Sequence, residues 1–534
     1  MRKFGEDRII AVTAWFFVSF ALAAGNYYRL AVQPPESALQ AAADRSGLTV
    51  NAGESQGTVY DRNMTRLTNA EYRYVAVAVP SVLDREKTSF TACDRESFLS
   101  EFDKGRPFAY ECKKGTEEAD GLTVFSIPVH YSDPQSAQHV IGYLSEGRGV
   151  SGIEAAYDFI LRGEGEENSV TYTVDGSGRV LMGNGKEVVR STKDNTGVVL
   201  TLDSRIQALC EESACKIKKG AVIVSEISTG DILAMVSRPD YSWKDVDSAI
   251  ESDDSPLINR VLYSYSVGSV FKLVTAAEGI AEGWENCVYD CKGWENVSGQ
   301  NFNCHKADGH GIQNMTEAIV NSCNTYFIKL SESLDPGRFR DLAADLGFGR
   351  ENVLCGGMTA SAGVLPTADE LLVPAELANF SFGQGKLTAT PLQINQLTAA
   401  IAGGGYMHRL RLIKGLTADG TDIENEKAPQ GTRVLDRDTA GKLREMMICA
   451  VRDNKDSKAA ARGVHVGAKT STAQTGRIGR NGEELCHGWI TGFYPAESPI
   501  YAVTVLAEDG GYGNQAAAPV FREITKGLKK LGSD

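Results

Sequence analysis

The sequence predicts an α/β fold: a central antiparallel sheet flanked by helices, preceded by a mainly β N-terminal module and an apolar N-terminal helix. Three observations predict it. Strand-like runs stand at both ends of the C-terminal part, Ala221–Ile227 and Ile232–Ser237 at its start, Gly488–Tyr494 and Tyr501–Ala507 near its end. The long stretch between them is mostly helical in period, and a helical pattern follows the last strand, which suggests one helix-covered sheet with a helical subdomain inserted. Ile9–Tyr28 is a stretch of 20 residues without a charge, about the length that crosses a bilayer.

The elements follow in order. Arg2, Lys3 and Arg8 precede the apolar stretch, which favours an N-terminus left in the cytoplasm and the bulk of the chain outside. An uncleaved anchor competes here with a signal peptide cleaved after Ala21-Leu22-Ala23 and with a buried core helix. Residues 30–56 are small and polar and read as a stalk. Gly57–Asn63 reads as a short strand ending in a turn, and Ser169–Val189 as hairpins turning at Asp175-Gly176 and Asn184-Gly185. From about residue 197 the pattern becomes regular. Val198–Leu202 is strand-like, Asp203 caps a helix over about Ser204–Lys218, and Ser228–Asp231 turns a hairpin. Pro519 opens a last helix running to about Leu531. The expected division is therefore 1–29 for tip and anchor, 30–190 for stalk and N-terminal module, and 191–534 for the larger domain.

Composition narrows the class. At 534 residues, 42% hydrophobic and 23% charged, the chain is globular and can bury large cores. The net charge of −14 and the lack of any long Lys/Arg cluster argue against a nucleic-acid partner. Eleven cysteines leave at least one thiol unpaired in a monomer. Cys93 and Cys112 flank a polar segment and could pair. Cys287, Cys291, Cys304, His305 and His310 cluster within 24 residues, but their spacing fits no common zinc pattern. Outside the cytoplasm a Cys291–Cys304 disulfide is the favoured reading, over zinc or free thiols.

The sharpest chemical segment is Tyr265–Leu273. Gly268 ends a loop and a helix runs from about Ser269 to Ile280. At a first turn, Ser269 can aim its own N–H at a developing oxyanion. Lys272 stands three residues on, on the same face. Burial and a second cation would lower its pKa enough for it to take the serine proton. A second S-x-x-K, Ser213…Lys216, sits mid-helix with no glycine before it and serves as a control. Ser322-Cys323-Asn324 follows a helix over about Asn314–Val320 and is the only S-x-N. Its hydroxyl and amide can share a cleft, or can simply end the helix. Cys323 reads as a buried, inert thiol. Lys469-Thr470-Ser471-Thr472 lies on a strand expected to open near Val464; alone it is weak, since Lys87-Thr88-Ser89 repeats the tripeptide. Gly403-Gly404-Gly405 lacks the Lys-Ser/Thr of a phosphate cradle.

S-x-x-K, then S-x-N, then K-T-G is the signature set of penicillin-binding proteins and serine β-lactamases. The chain resembles a class B, monofunctional penicillin-binding protein over nearly all of residues 57–530. Further stretches carry the likeness: Gly57–Asn63, Gly149–Glu154, Thr201–Gln207, Thr229–Ala234, Gly383-Gln384-Gly385 and Thr390–Gln393. The resemblance implies a serine transpeptidase (β-lactamase-like) domain on an N-terminal pedestal, with no metal and no cofactor. It implies Ser269 as the acylated nucleophile, Lys272 as its base, and Ser322 and Asn324 as proton relay and amide contact. Lys469 and Thr470 would bind the substrate or β-lactam carboxylate, beside Ser471 and Thr472. The N–H groups of Ser269 and Thr472 would form the oxyanion hole. A Cys291–Cys304 pair before a G-H-G run also resembles many members.

The implied activity is a membrane-anchored peptidoglycan D,D-transpeptidase, acting on stem pentapeptides and acylated by β-lactams. Its implied partner is a membrane glycosyltransferase of the cell-wall machinery. A glycosyltransferase domain within this chain, and C-terminal accessory domains, are not expected. Val267 and Val270 replace the family's proline and threonine, and Ser471 replaces the glycine of K-T-G. Strand alternation puts Ser471 on the face of Lys469, so it is expected near the cleft, crowding the substrate. The competing function is a non-catalytic scaffold of a cell-wall complex, for which Ser471 is the support. A β-lactam sensor or hydrolase fits less well with a large pedestal.

Overall fold

In the computed structural model, described for residues 3–32, 47–163, 167–175, 179–181, 186–479 and 482–532, the α/β expectation holds. The chain forms two compact units. The first comprises Met1–Ser55, Tyr72–Pro128 and Gly165–Thr192. Its N-terminal helix, Lys3–Val32, contains the apolar span Arg8–Arg29, of mean hydropathy 1.8. Two three-stranded sheets follow, Gly47–Gly53 with Asn168–Thr173 and Lys186–Val189, and Phe108–Cys112 with Glu71–Ala78 and Leu122–Val129. Gly47–Gly53 thus corrects the stalk reading. Its Thr49 and Val50 face strand partners Thr171 and Val170, so these small residues are a sheet edge and not a linker. The turns expected at Gly176 and at Asn184-Gly185 lie outside the described residues. Val75, Val77, Phe125, Ile127, Val170 and Tyr172 form one core. Phe98, Phe102, Phe108 and Tyr110 stack into another. Cys93 and Cys112 are free thiols, one exposed and one buried, so the pairing entertained for them is not formed.

The second unit comprises Gln56–Glu71, Val129–Glu164 and Lys193–Asp534. The first of these segments belongs here because Thr58–Tyr60 pairs in parallel with Gly197–Val199, a long-range contact no local pattern announces. Helix α1 (Ser204–Ala214) opens on Asp203, whose carboxylate accepts the Arg205 N–H. Strands β1 (Gly220–Glu226) and β2 (Ile232–Arg238) form the expected hairpin. Helices α2 (Lys272–Ala281), α3 (Asn324–Ser331), α4 (Pro391–Ala402) and α5 (Arg437–Arg452) follow. Then come β3 (Gly467–Ile478), β4 (Glu484–Tyr494), β5 (Tyr501–Ala507) and α6 (Ala518–Leu531).

The five strands make one antiparallel sheet in the order β2-β1-β5-β4-β3. Alternation divides its faces. Val222 and Val224 of β1 pack with Ile206 and Cys210 of α1 and Val520, Phe521 and Ile524 of α6. Ala221 and Ile223 point the other way, into the core shared with α2 and α4. Every residue of α4 is buried. Its Thr390–Gln393 capping box and Pro391 start the helix. Its Asn395 amide donates to the Ala502 carbonyl and accepts from Ser225 Oγ, which lets a polar side chain sit against the sheet centre. Strand β3 is a sheet edge, and the residues that carry chemistry gather around it.

Candidate active site

The segment Tyr265–Ser266 pairs with Thr388–Ala389, and Trp489 Nε1 of β4 donates to the Ser266 carbonyl at 3.0 Å. The chain then turns at Gly268 (φ +64°), whose N–H donates to the Gly383 carbonyl at 2.8 Å. A side chain at Gly383 would collide with the Gly268 carbonyl. That is the physical content of the glycine matched in Gly383-Gln384-Gly385. Gly268–Phe271 is a 3-10 turn that runs directly into α2, so Ser269 lies in the tight turn ahead of the α-helix and not within it. Val267 and Val270 are fully buried, and the substituted positions are absorbed as core. Phe271 packs on Phe380, Phe348 and Phe339 at 4.7, 5.2 and 6.0 Å between ring centres. This anchors the turn from below.

Lys272 follows one turn after Ser269 and is 0% exposed. Its Nζ donates to the Ser322 carbonyl at 2.6 Å and to Asn324 Oδ1 at 2.7 Å, and stands 3.4 Å from Ser322 Oγ. Lys469 Nζ, reaching over from β3, donates to the same hydroxyl at 3.0 Å. Lys272 and Lys469 thus meet at the Ser322 hydroxyl, with Asn324 holding Lys272. Burial pushes Lys272 down to about 8. Burial, and then the charge of Lys272, hold Lys469 well below its ordinary value. Among the described residues neither lysine has a carboxylate within ion-pair distance. Two adjacent buried amines without counter-charge favour a neutral amine. A neutral Lys272 can donate two N–H bonds to Ser322 O and Asn324 Oδ1 and keep its lone pair for a third direction.

Ser322 itself has φ +51°, an uncommon left-handed backbone in which a non-glycine side chain is turned out of the helix path. Cys323 caps α3 by accepting the Tyr326 N–H. A cavity of about 180 Å³ lined by His305, Ser322, Asn454, Lys469, Thr470 and Asn514 opens beside this group. Thr470 and Thr472 are partly exposed. Thr472 Oγ1 accepts the Gly513 N–H at 3.2 Å.

Ser471 is placed differently from the sequence expectation. It does share a face with Lys469, but at 3% exposure its hydroxyl donates to the Val267 carbonyl at 2.8 Å. That face meets the Val267–Gly268 loop there, so Ser471 braces the turn carrying Ser269 and does not crowd an open cleft. The Ser213…Lys216 control is no pair: Ser213 is buried in α1 and Lys216 is exposed. The expected Cys291–Cys304 disulfide is absent, since both are free thiols. Instead their sulfurs and Cys323 Sγ converge with His310 Nδ1, all within 4.8 Å of one another. The sequence cluster contains Cys291, Cys304 and His310 but not Cys323, which reads there as an inert thiol because it comes from a separate element.

The fold defines a class, the penicillin-binding protein transpeptidase domains. Solved structures with the same fold include a D,D-transpeptidase domain of a peptidoglycan glycosyltransferase from Eggerthella lenta. It has TM-score 0.65 and 23% identity, covering 90% of this chain and 99% of that one. Penicillin-binding protein A of M. tuberculosis, as a ceftriaxone acyl-enzyme complex, has TM-score 0.66 and 24% identity, covering 89% and 98%. The penicillin-binding protein transpeptidase domain matches residues 220–526. The stage V sporulation protein D of Bacillus subtilis is 28% identical over 515 residues, 92% of this chain and 78% of that protein. The peptidoglycan D,D-transpeptidase MrdA of Acinetobacter baumannii is 30% identical over 416 residues, 70% of this chain and 60% of that protein. The chain belongs to the penicillin-binding protein transpeptidase family, as a class B member.

Proposed function

We propose that the chain is a membrane-anchored peptidoglycan D,D-transpeptidase that cross-links stem peptides through an acyl-serine on Ser269. The observation that carries this reading is the convergence of Lys272 and Lys469 on the Ser322 hydroxyl, next to the Ser269 turn. In the acylation step Ser269 Oγ attacks the penultimate D-Ala carbonyl of a stem pentapeptide, and neutral Lys272 takes its proton. The N–H groups of Ser269 and Thr472 receive the oxyanion. Ser322 passes a proton to the departing amine and takes one back from protonated Lys272, so that D-Ala leaves and Lys272 is neutral again, while Lys469 donates to the Ser322 hydroxyl from the other side. Lys469, Thr470 and Thr472 meet the terminal carboxylate. An amine from a neighbouring stem then attacks the acyl-serine; water in its place would give weak carboxypeptidation. A β-lactam acylates the same oxygen.

Intact-mass analysis after incubation with a fluorescent penicillin is the direct test. One adduct is expected, on the peptide containing Ser269, lost in Ser269→Ala and retained in Ser213→Ala. Labelling that survives Ser269→Ala overturns the assignment, and no labelling of the folded wild type supports the scaffold reading instead. The apolar span Arg8–Arg29 supports single-pass anchoring with the catalytic unit outside the cell; a membrane glycosyltransferase as neighbour rests on the family resemblance alone. The intact protein is expected to stay with membranes through a carbonate wash. A mature N-terminus at Ala24 would instead show a cleaved signal.

A further inference from the structure

The helical part of the second unit carries a hollow of about 410 Å³ that the mechanism does not use. Its size is common among small-molecule sites. The geometry points to an effector site for a small amphipathic carboxylate, coupled to the turn that carries Ser269. Three pieces of chain form it. The helix Pro336–Asp345 supplies Arg340 and Ala344, the turn after it supplies Phe348 and Arg350, and a segment beside Thr388 supplies Val364 and Leu365.

Charge decides the class of ligand. Among the described residues no acidic side chain lines the hollow, in a chain whose net charge is −14. Arg340 donates to Asp341 at 3.0 Å and Arg350 to Asp345 at 3.1 Å. Those carboxylates are 73% and 65% exposed, so the pairs contribute little and exchange readily. Each guanidinium has five donors, and its fork favours a bidentate carboxylate. The remaining side chains are apolar: Val364 is 48% exposed, Leu365 is half-buried, and Ala344 and Phe348 are buried. A bare inorganic anion would leave Val364 and Leu365 in water. A carboxylate that carries two or three small apolar groups would cover them.

The protein itself holds the walls. Gln393, buried at the start of α4, donates from Nε2 to the carbonyls of Gly347, Arg350 and Ala362 at 3.0, 3.0 and 2.8 Å. One side chain thus ties the turn bearing Arg350 to the segment leading into Val364. Gly349, at φ +72°, lets the two come together, since a Cβ there would stand 2.9 Å from Leu365 Cβ. A site built in advance loses less in ordering when its ligand binds.

Both walls touch the supports of the Ser269 turn. Phe348 packs edge-on against Phe271, the residue before Lys272, at 5.2 Å between ring centres. Val364 and Thr388 exchange N–H···O bonds, each of 3.1 Å, and Thr388 pairs with Ser266. A ligand that joins the arginines to Val364 and Leu365 therefore loads both supports at once, which links its affinity to the state of the turn. The binding assignment stands apart from the acyl-transfer reading; only its consequence for penicillin labelling rests on that reading.

The test uses the full chain in detergent, with N-acetyl-D-alanyl-D-alanine and its L,L isomer as probes. Both carry a carboxylate on small apolar groups. Calorimetry is run on protein first acylated with penicillin, so that the catalytic cleft is filled. Saturable binding of at least one isomer is expected. The C-terminal amide of that probe should bind ~10-fold or more weakly, as should the acid to Arg340→Gln and to Arg350→Gln. Inorganic phosphate should compete but bind more weakly than the peptide acid. Both arginine variants should label with fluorescent penicillin at the wild-type rate. Saturating probe should change the wild-type labelling rate ~5-fold or more beyond any change in the variants. Simple competition at the cleft would be equal in all three proteins, and that result overturns the coupling. No binding to the acylated wild type, an amide that binds as well as the acid, or binding that survives both arginine substitutions overturns the site. In a protein that never labels, calorimetry on the unlabelled chain and its arginine variants still decides the site while the acyl-transfer reading fails.

Discussion

Replacing Ser471 by glycine restores the residue that the family motif carries, and the structure says it should harm this protein. The hydroxyl lost is buried and donates to the carbonyl of Val267, two residues before Ser269. A hydrogen bond of this kind contributes ~1 kcal/mol, and leaving a buried carbonyl short of its donor raises the loss to ~1–3 kcal/mol. Glycine in a strand adds ~0.5–1 kcal/mol of chain entropy. The loop affected is the one that carries Ser269, the proposed nucleophile. At about 1.4 kcal/mol per tenfold in rate, a loss of ~1–3 kcal/mol borne by that alignment slows acylation by about 5- to 150-fold. The assay is the second-order rate of labelling by a fluorescent penicillin, measured beside the thermal midpoint. Ser471→Ala, which keeps Cβ, should also slow labelling, with the midpoint shifting only a few degrees. A faster rate in Ser471→Gly would refute this reasoning, because it would mean that the hydroxyl obstructs the ligand and does not brace the turn.

Two further outcomes follow from the same geometry. Gly383→Ala drives a Cβ into the Gly268 carbonyl at a residue with φ +80°. It should cost about 3 kcal/mol or more in urea unfolding and abolish labelling; a stable, labelling variant would show the two loops to be loosely coupled. His139, whose Nε2 meets the Pro256 carbonyl at 2.6 Å, is pushed down to about 4 by burial. The folded state therefore binds fewer protons than the unfolded one between about pH 4 and 6.5. Its stability should fall on acidification through that window by up to ~1.4 kcal/mol per unit. His139→Gln should flatten the profile measured by urea titration, and an unchanged slope would remove His139 as the cause.

Much of the molecule was legible in the sequence because local physics decides it. Tyr501–Ala507, a continuous apolar run, is a strand between the same two residues. Asp203 and Pro519 start the helices they were expected to start. Lys272, Ser322, Asn324 and Lys469 come together because a one-turn spacing, a post-helix loop and a strand residue each fix a direction. What escaped was decided at long range. Alternation placed Ser471 on the correct face but could not say that the Val267 loop, and not substrate, would occupy that face. The parallel pairing of Thr58–Tyr60 with Gly197–Val199 has no local signal. Cys323 looked like an inert thiol because its neighbours, Cys291, Cys304 and His310, are brought to it only by hairpins closing in space.

The strand order of the sheet bears on how the protein is made. Strand β1 lies between β2, its hairpin neighbour, and β5, with residues 227–500 intervening before β5 begins. A chain synthesised from its N-terminus therefore presents β1 with one edge unpaired until almost the last segment has emerged. Closing so long a loop carries an entropy cost that only the finished core repays. During that interval the exposed edge and the apolar faces of β1 and β2 invite pairing with other chains. Truncation anywhere before residue 501 should thus yield an aggregating chain and not a smaller folded one, and synthesis is the stage at which the protein most needs a chaperone.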